Sequence, residues 1–280
     1  MTRITTGNRN PRNLSIDSKG SIHDDATATD LGFRAGTVAG DIHLEQFGQI
    51  LVDGFGQQWF ENGWLSMYFQ QATADREPVE AWLDGEGDIR TAGINTPEGA
   101  VVAEGNAGLG AAGPSALYAR DRRSVDPSQL RMLRDVRIGQ ALDIQVRSPW
   151  ATNQHARMNA NTMTAPMDWY GTSSPWGGGI SSPLTICQLM VAGVTDSIAA
   201  SCGDFVGLYG AIEIRNLSGP LMLDHEYVIS GEVIDVSETP KTEVLWYRTQ
   251  ARPSIDPEGP VVAELTMMTR LLKGSSPRYS

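Results

Sequence analysis

An eight-residue segment occurs twice in this chain. The segment 97–104, Pro-Glu-Gly-Ala-Val-Val-Ala-Glu, returns 160 residues later as Pro-Glu-Gly-Pro-Val-Val-Ala-Glu at 257–264, with seven of eight positions identical. Each copy joins a turn signal to a β-branched run, which is typical of the start of a strand. The match indicates that one unit is present twice. A unit of about 120 residues is too long for a solenoid repeat, so we expect two like domains packed together, with any ligand site between or across them.

The bulk properties are those of an ordinary globular protein, with 40% hydrophobic and 20% charged residues. A length of 280 residues allows two domains. No apolar run approaches the roughly 18 residues of a membrane span, and the N-terminus lacks the apolar stretch of a signal peptide. These observations predict a cytoplasmic protein that does not contact a membrane. Cys187 and Cys202 are too few for a disulfide framework, and we expect both to be reduced packing residues in one helix.

The net charge of −11 argues against a general nucleic-acid binder, which would need a basic face. Arginines nevertheless cluster between the two halves while acids dominate elsewhere. Two interpretations remain open for this cluster: a solvated, salt-bridged linker, or the rim of a pocket for the phosphates of a carrier such as coenzyme A. The arginines concerned are Arg120, Arg122, Arg123, Arg131, Arg134 and Arg137.

Each half of the chain has the pattern of a helix followed by several strands. In the first half the apolar spacing predicts a helix over 42–55, ended by Gly54 and Gly56, and strands near 64–69, 79–83 and 100–107. The second half shows a long apolar helix after Pro183, reaching about residue 198, then four strands, over 208–215, 227–236, 242–250 and 261–272. The simplest architecture is α+β: one helix wrapped by one curved antiparallel sheet, formed twice, with the two sheets paired edge to edge.

The best candidate for chemistry is the stretch that begins with His23. A histidine followed by two acids, Asp24 and Asp25, supplies a titratable base and a group that can orient it or hold a water. Three glycines then precede the first helix, whose N-terminal N–H groups can face a carbonyl oxygen that gains negative charge. These glycines, which allow close backbone approach, are Gly32, Gly36 and Gly40.

This stretch resembles the hotdog-fold MaoC-like acyl-CoA hydratases and dehydratases. The catalytic loop of that family reads Asn-Pro-aliphatic-His-x-Asp, and Ile22, His23 and Asp25 fall on its aliphatic, histidine and acid positions. Residues 32–40 resemble the family's Gly-Phe-x-Gly…Gly segment, which leads into the central helix. The resemblance implies a double hotdog fold, with His23 and Asp25 as the catalytic pair of a lyase that adds or removes water beside a thioester carbonyl. Its units would span 21–110 and 135–275, after an N-terminal arm (1–20) and around a connector (111–134).

The chain also departs from this pattern. Residues 18–21, Ser-Lys-Gly-Ser, replace the family's Gly-Asp-x-Asn-Pro, and Asp17 stands one place off the usual acid. The corresponding loop of the second half, 164–170, contains no histidine. Either the first half keeps one altered site, or the scaffold carries other chemistry.

Further candidates come from aromatic and polar side chains. Asp168, next to two aromatic residues, is a candidate acid or base, with a turn-capping role as the alternative. No spacing predicts a metal site, a phosphate loop or a nucleophile elbow, and His155 and His225 are assigned no role. Substrate contacts are predicted for Asp24, Arg34, Gly40, His43, Trp64, Tyr68, Tyr170 and Trp176.

The leading hypothesis is a hydratase or dehydratase acting on an acyl thioester or related small molecule, with no cofactor and with coenzyme A as a candidate carrier. The second hypothesis keeps the scaffold but changes the reaction to thioester hydrolysis, isomerisation or cyclisation. The third is a non-catalytic acyl-binding module. Paired sheets of this size also predict a homodimer.

Overall fold

The computed structural model describes residues 3–110 and 115–280. All strands that it assigns in these ranges belong to one antiparallel sheet of ten strands. They are β1 (Ile4–Thr5), β2 (Gly63–Phe69), β3 (Glu80–Asp84), β4 (Ile89–Asn95), β5 (Val101–Leu109), β6 (Gln145–Arg147), β7 (Gly207–Asn216), β8 (Tyr227–Glu238), β9 (Thr242–Pro253) and β10 (Ala263–Leu272).

The order of the strands shows that the two halves are alike. Across the sheet it runs β1-β3-β4-β5-β2-β7-β10-β9-β8-β6. The first five strands and the last five therefore mirror each other, with β2 equivalent to β7, β5 to β10, and the short β1 to β6. The halves join through the antiparallel pair β2–β7. This confirms the α+β architecture of two like units paired edge to edge.

The repeated octapeptide occupies the same place in both halves. Its first copy forms the turn before β5 and continues into that strand, and its second copy forms the turn before β10. Because β5 and β10 are topologically equivalent, sequence repeat and structural repeat coincide.

The described helices are shorter than the sequence predicts. They are α1 (Asp25–Asp30), α2 (Gly40–Leu44), α3 (Phe47–Phe55), α4 (Trp59–Asn62), α5 (Ala151–Asn159), α6 (Pro183–Val191) and α7 (Asp196–Cys202). The predicted helix 42–55 is in fact α2 and α3, which bend at Glu45 and Gln46. The predicted single helix after Pro183 is α6 and α7. Its break falls at Gly193, whose positive φ of 79° is a left-handed conformation that stops a helix.

Two sequence predictions are corrected by these boundaries. Cys187 and Cys202 are both free and buried, as expected, but they lie in two helices, α6 and α7, instead of one. Strand β4 was not predicted, because Ile-Arg-Thr-Ala-Gly-Ile-Asn has no clear alternation of apolar and polar residues.

The core lies between the helices and one face of the sheet. On β2 the side chains of Leu65, Met67 and Phe69 face the helices and belong to the main apolar cluster. Tyr68, on the other face, packs with Trp246 in a separate smaller cluster under residues that follow 115. The strand's period of two therefore separates a helix-facing side from an outer side.

The described parts of the N-terminal arm (3–20) and of the connector (115–134) both pack on the sheet. Ile4 and Thr5 pair with β3, and Arg9 bridges to Val79. The Glu243 carboxylate of β9 accepts hydrogen bonds from the backbone N–H groups of connector residues 131–133, which fixes that segment to β9.

Within the described ranges no single helix is long and apolar enough to span a membrane; α6 and α7 together meet the length and composition test but are bent by 65° at their junction.

Candidate functional site

A cavity of about 320 Å³ lies at the seam between the two halves. The first half contributes the loop from Ile22 to Ala39, the start of α2 and residues 69–72. The second half contributes the first residues of β7 together with Thr269 and Arg270 of β10. The cavity is thus lined by both units.

The cavity exists because the seam is shorter than its strands. Strand β2 pairs with β7 only from Trp64 to Tyr68, opposite Ala211 to Arg215. Beyond this point the chain of β2 leaves the sheet at Gln70, while β7 extends back to Gly207. The unpaired end of β7 and the departing chain leave the space that the His23 loop closes.

His23 lies in the wall of this cavity with its imidazole held from behind. Its Nδ1 is 2.7 Å from the Thr37 carbonyl oxygen. A carbonyl oxygen only accepts, so Nδ1 carries a proton and the Nε2 of the neutral ring has a free lone pair. No described residue hydrogen-bonds Nε2. The Asn13 amide also donates to the His23 carbonyl at 2.7 Å, which ties the N-terminal segment to this loop. His23 is therefore oriented as a proton acceptor.

The two acids after His23 do not face the cavity. Asp25 is exposed, and its Oδ1 accepts the Gly36 N–H at 2.7 Å. Asp24 caps α1 by accepting the N–H and hydroxyl of Thr27, and these hydrogen bonds lower the pKa of Asp24. Asp25 and His23 were predicted to act as a pair. In the structure, however, the Asp25 side chain binds the Gly36 N–H and does not reach the cavity. Both carboxylates instead brace the loop that carries the histidine.

The beginning of α2 forms the cavity floor. Gly40 lies against the Phe69 ring, and a Cβ at Gly40 would fall 2.9 Å from ring carbons. His43 also lines the cavity; its Nε2 is 2.8 Å from the Thr73 hydroxyl. Burial lowers the pKa of His43 to about 4, so this ring is neutral at physiological pH. Gly40 and His43, two of the predicted substrate contacts, therefore both line the cavity.

Sequence reasoning missed Asp41, which lies between these two residues. Its carboxylate is buried, accepts the Ile42 N–H at 3.0 Å and lies 3.4 Å from the Gln188 amide of α6. Burial raises the pKa of Asp41 to about 6, although the charge of nearby His23 acts in the opposite direction. Asp41 is therefore a buried carboxylate that lies between two cavity-lining residues, Gly40 and His43. The available signal was an acid directly after Gly40 at the predicted helix start.

Sequence reasoning also missed the particular second-half residues that line the cavity. Tyr209, Thr269 and Arg270 line the cavity. Burial raises the pKa of Tyr209 well above its usual value, so its phenol remains a hydrogen-bond donor. These residues carry no motif; only the pairing of β7 with β10 brings them together.

The four aromatic residues predicted as substrate contacts lie outside the cavity. Trp64 and Tyr68 alternate with the helix-facing residues of β2 and therefore project to the outer side of the sheet. Trp176 donates its ring N–H to Glu61 at 3.1 Å, in a cluster of edge-on rings around Phe60. Tyr170 is fully buried in the same cluster, and its hydroxyl packs where Gly48 leaves room. None of these four aromatic residues lines the cavity.

The remaining candidates are also outside the cavity. Asp168 is exposed and is the first residue of a 3-10 turn, and no side-chain hydrogen bond caps this turn. Arg34 is exposed and forms an ion pair with Glu77, in which its Nη2 donates to both carboxylate oxygens at 2.8 and 2.9 Å. None of the six connector arginines lines the cavity. Among the residues that the structure describes, no group of three or more His, Cys, Asp and Glu side chains could hold a metal ion.

Comparison with known proteins identifies the fold. No protein-family model matches the chain, and no curated protein matches its sequence significantly. Three solved structures cover almost all of it. One is a protein assigned as a MaoC domain dehydratase from Chloroflexus aurantiacus J-10-fl (TM-score 0.57, 12% identity, 97% of this chain and 94% of that one). Another is a MaoC-like dehydratase (TM-score 0.52, 10% identity, 96% and 97%).

The third is a conserved hypothetical protein from Mycobacterium tuberculosis that has a double hotdog fold (TM-score 0.60, 10% identity, 96% of this chain and 95% of that one). At identities this low, the structural similarity establishes the fold and leaves the reaction open. The chain therefore has the double hotdog fold found among MaoC-like dehydratases, as the sequence resemblance predicts.

Proposed function

We propose that this protein is a carbon–oxygen lyase of the hydratase/dehydratase type, with one working site, in the seam cavity. The observation that carries the proposal is His23, whose Nδ1–H is bound to the Thr37 carbonyl while Nε2 is free in the cavity wall. A base with a fixed tautomer and an open lone pair is what proton transfer to and from a bound small molecule requires.

The proposed reaction needs one group that both takes and returns a proton. His23 Nε2 accepts a proton from water as the water oxygen bonds to the β-carbon of a 2-enoyl thioester. The double-bond electrons then move onto the carbonyl oxygen, giving an enolate. The imidazolium returns its proton to the α-carbon, so the elements of water are added and no charge remains. Dehydration is the reverse of these steps.

The enolate oxygen needs hydrogen-bond donors. The Tyr209 hydroxyl can serve, because the phenol stays protonated. Gly40 N–H can serve as well, since the first N–H groups of a helix have no intrahelical acceptor. Asp41 does not line the cavity, and its proposed role is to stabilise the imidazolium form of His23 from beneath. We therefore class Asp41 as a positioning residue.

One observation favours a second reaction on the same scaffold. The cavity lining contains two histidines, a tyrosine and an arginine but no Asp or Glu. A lone histidine base is sufficient to activate water for direct attack on a thioester carbonyl, which would release a thiol instead of a hydrated acyl group. Thioester hydrolysis is therefore the alternative function.

One assay separates these reactions. The protein is incubated with 2-enoyl thioesters of coenzyme A and of N-acetylcysteamine, and two signals are followed: loss of the conjugated enoyl absorbance and release of free thiol. Hydration predicts only the first signal, and hydrolysis predicts the second. Saturable binding with neither signal would show an acyl-binding module.

Matched histidine variants assign the activity to the site. His23→Ala should lower turnover by about 10²–10⁴. His225→Ala, a change at an exposed histidine outside the cavity, should leave turnover unchanged. Wild-type turnover by folded His23→Ala would exclude His23 from the mechanism.

A further inference from the structure

Arg270 is a cation in the cavity wall without an acidic partner. The chain has 33 acidic residues against 22 basic ones, and several arginines pair with a carboxylate, including Arg34 with Glu77. No carboxylate of the described residues lies within 4.0 Å of the Arg270 guanidinium. No Asp or Glu lines the cavity either. The positive charge of Arg270 is therefore locally unbalanced.

The fold holds this guanidinium in place. Arg270 lies on β10, and its side chain crosses β7 at Gly210, where a Cβ would fall 2.8 Å from the arginine Nε. Its Nη2 reaches the Phe69 carbonyl, at the end of β2, at 3.3 Å. That carbonyl lies where β2 leaves the sheet, so Arg270 binds a backbone group that the seam does not pair. The arginine thus spans three strands at the edge of the cavity.

A tyrosine ring supports the same guanidinium from the outer side. The Arg270 Cζ lies 5.1 Å from the Tyr68 ring centroid, and the Cζ of Arg120 lies 3.6 Å from it. Two cations on one ring raise the positive potential at this end of the cavity. Apart from the Phe69 carbonyl, no described residue accepts a hydrogen bond from Arg270, so most of its five N–H donors are available to a ligand.

We propose that Arg270 is the specificity-determining residue of the seam cavity and binds an anionic oxygen group of the substrate, either a carboxylate on the acyl chain or a phosphate of a carrier. This inference rests on the proposed function only in taking the seam cavity as the substrate site. A guanidinium recognises both groups through paired N–H donors, and a neutral acyl chain gains nothing from it.

The test measures binding, so it does not depend on which reaction the protein catalyses. Dissociation constants are determined by calorimetry for three probes: the neutral crotonyl thioester of N-acetylcysteamine, the fumaric acid monothioester of N-acetylcysteamine, and coenzyme A itself. The second probe adds a carboxylate without phosphate, and the third adds phosphates without an acyl carboxylate. The proteins are wild type, Arg270→Gln, Arg270→Lys and the control Arg34→Gln, which removes an arginine already paired with Glu77.

The expected result is at least a tenfold loss of affinity for one anionic probe in Arg270→Gln, with partial recovery in Arg270→Lys. Affinity for the neutral thioester should change less than twofold, and Arg34→Gln should bind all probes as wild type does. Loss for the fumaryl probe identifies an acyl carboxylate, and loss for coenzyme A identifies a carrier phosphate.

Two results would overturn the inference: equal affinity of Arg270→Gln and wild type for both anionic probes, or no saturable binding of either probe to wild type. Failure of the proposed reaction would look different, since the arginine effect on binding would persist while turnover of every thioester was absent. Circular dichroism of each variant establishes that the substitution has not unfolded the sheet.

Discussion

Asp41 and His43 are buried two residues apart on α2, and burial moves their pKa values in opposite directions. The pKa of Asp41 rises to about 6, and that of His43 falls to about 4. Both groups are therefore held in their neutral forms around pH 5, His43 in the cavity lining and Asp41 beside it in the chain. This opposition has a measurable consequence for stability.

Between about pH 4 and pH 6 the folded protein keeps a proton on Asp41 that the unfolded chain has released. The contribution of Asp41 to the free energy of unfolding therefore falls as the pH rises. In the same range the unfolded chain binds a proton on His43 that the folded protein excludes, so the contribution of His43 increases. Each contribution is on the order of 3 kcal/mol across the window, and the two nearly cancel.

Single substitutions should reveal how each of the two groups makes the free energy of unfolding depend on pH. Asp41→Asn is expected to make stability rise more steeply with pH than in wild type, and His43→Gln to make it rise less steeply or fall. The measurement is urea unfolding at pH 4, 5, 6 and 7 for the three proteins. If the free energy of unfolding changed with pH in the same way for all three proteins, the opposite pKa shifts of these side chains would be contradicted.

Asp25 should act through its hydrogen bond to Gly36 and not as an acid or base. A Cβ at Gly36 would fall 2.2 Å from the His23 carbonyl oxygen, so this contact sets the position of the histidine loop. Asp25→Asn keeps an accepting oxygen and should retain at least about half of wild-type turnover, whereas Asp25→Ala should lose about tenfold. This order follows because the hydrogen bond is worth on the order of 1–2 kcal/mol. Steady-state kinetics of both variants decides; equal inactivation of the two would restore Asp25 as a proton-transfer group.

Gly40→Ala should narrow the cavity. The added methyl would meet the Phe69 ring at 2.9 Å, which requires the ring to move into the ligand space. The dissociation constant for a long acyl thioester is therefore expected to increase by about tenfold, equivalent to about 1.4 kcal/mol, with little change in unfolding. The double variant Gly40→Ala/Phe69→Leu should recover affinity, because the smaller side chain removes the obstruction. If the double variant does not recover affinity, the effect of Gly40→Ala comes from the backbone at that position and not from the contact with Phe69.

A buried ion pair lies at the bend between α2 and α3. Glu45 and Arg157 form two hydrogen bonds of 2.8 Å, and the Thr164 N–H donates a third to Glu45. Arg157→Met leaves a buried carboxylate with one remaining donor and should lower the free energy of unfolding by about 3–5 kcal/mol.

The double variant Glu45→Gln/Arg157→Met should be less destabilised than the single one, because no unpaired charge remains. Urea denaturation measures both. A single variant within about 1 kcal/mol of wild type would show that the pair contributes little.

The architecture could be predicted from the sequence because the chain contains the same structural unit twice. The repeat at 97–104 and 257–264 pointed to two like units, and the four strands after residue 207 were predicted close to their observed limits. The helix breaks were not predictable in the same way. Glu45, at the bend after α2, pairs with Arg157, 112 positions away in the sequence, and no local pattern reports such a contact.

The site was predicted only in part, for a related reason. His23, Gly40 and His43 form one continuous segment with the helix that follows, so local pattern was enough to bring them together. Arg270 and Tyr209 reach the cavity through strand pairing between β7 and β10, which no local pattern reports. Asp25 was misplaced because spacing along the chain says nothing about direction: its side chain turns back to the Gly36 N–H.

The seam between β2 and β7 has a consequence for how this scaffold can change. Only five residue pairs join the halves there, and the ligand space begins where that pairing stops. Adding or removing one pair at this boundary would lengthen or shorten the chamber without disturbing the apolar interior of either module. The length of the cavity in this scaffold can therefore change at a single edge, while the two helix-and-sheet bodies stay constant.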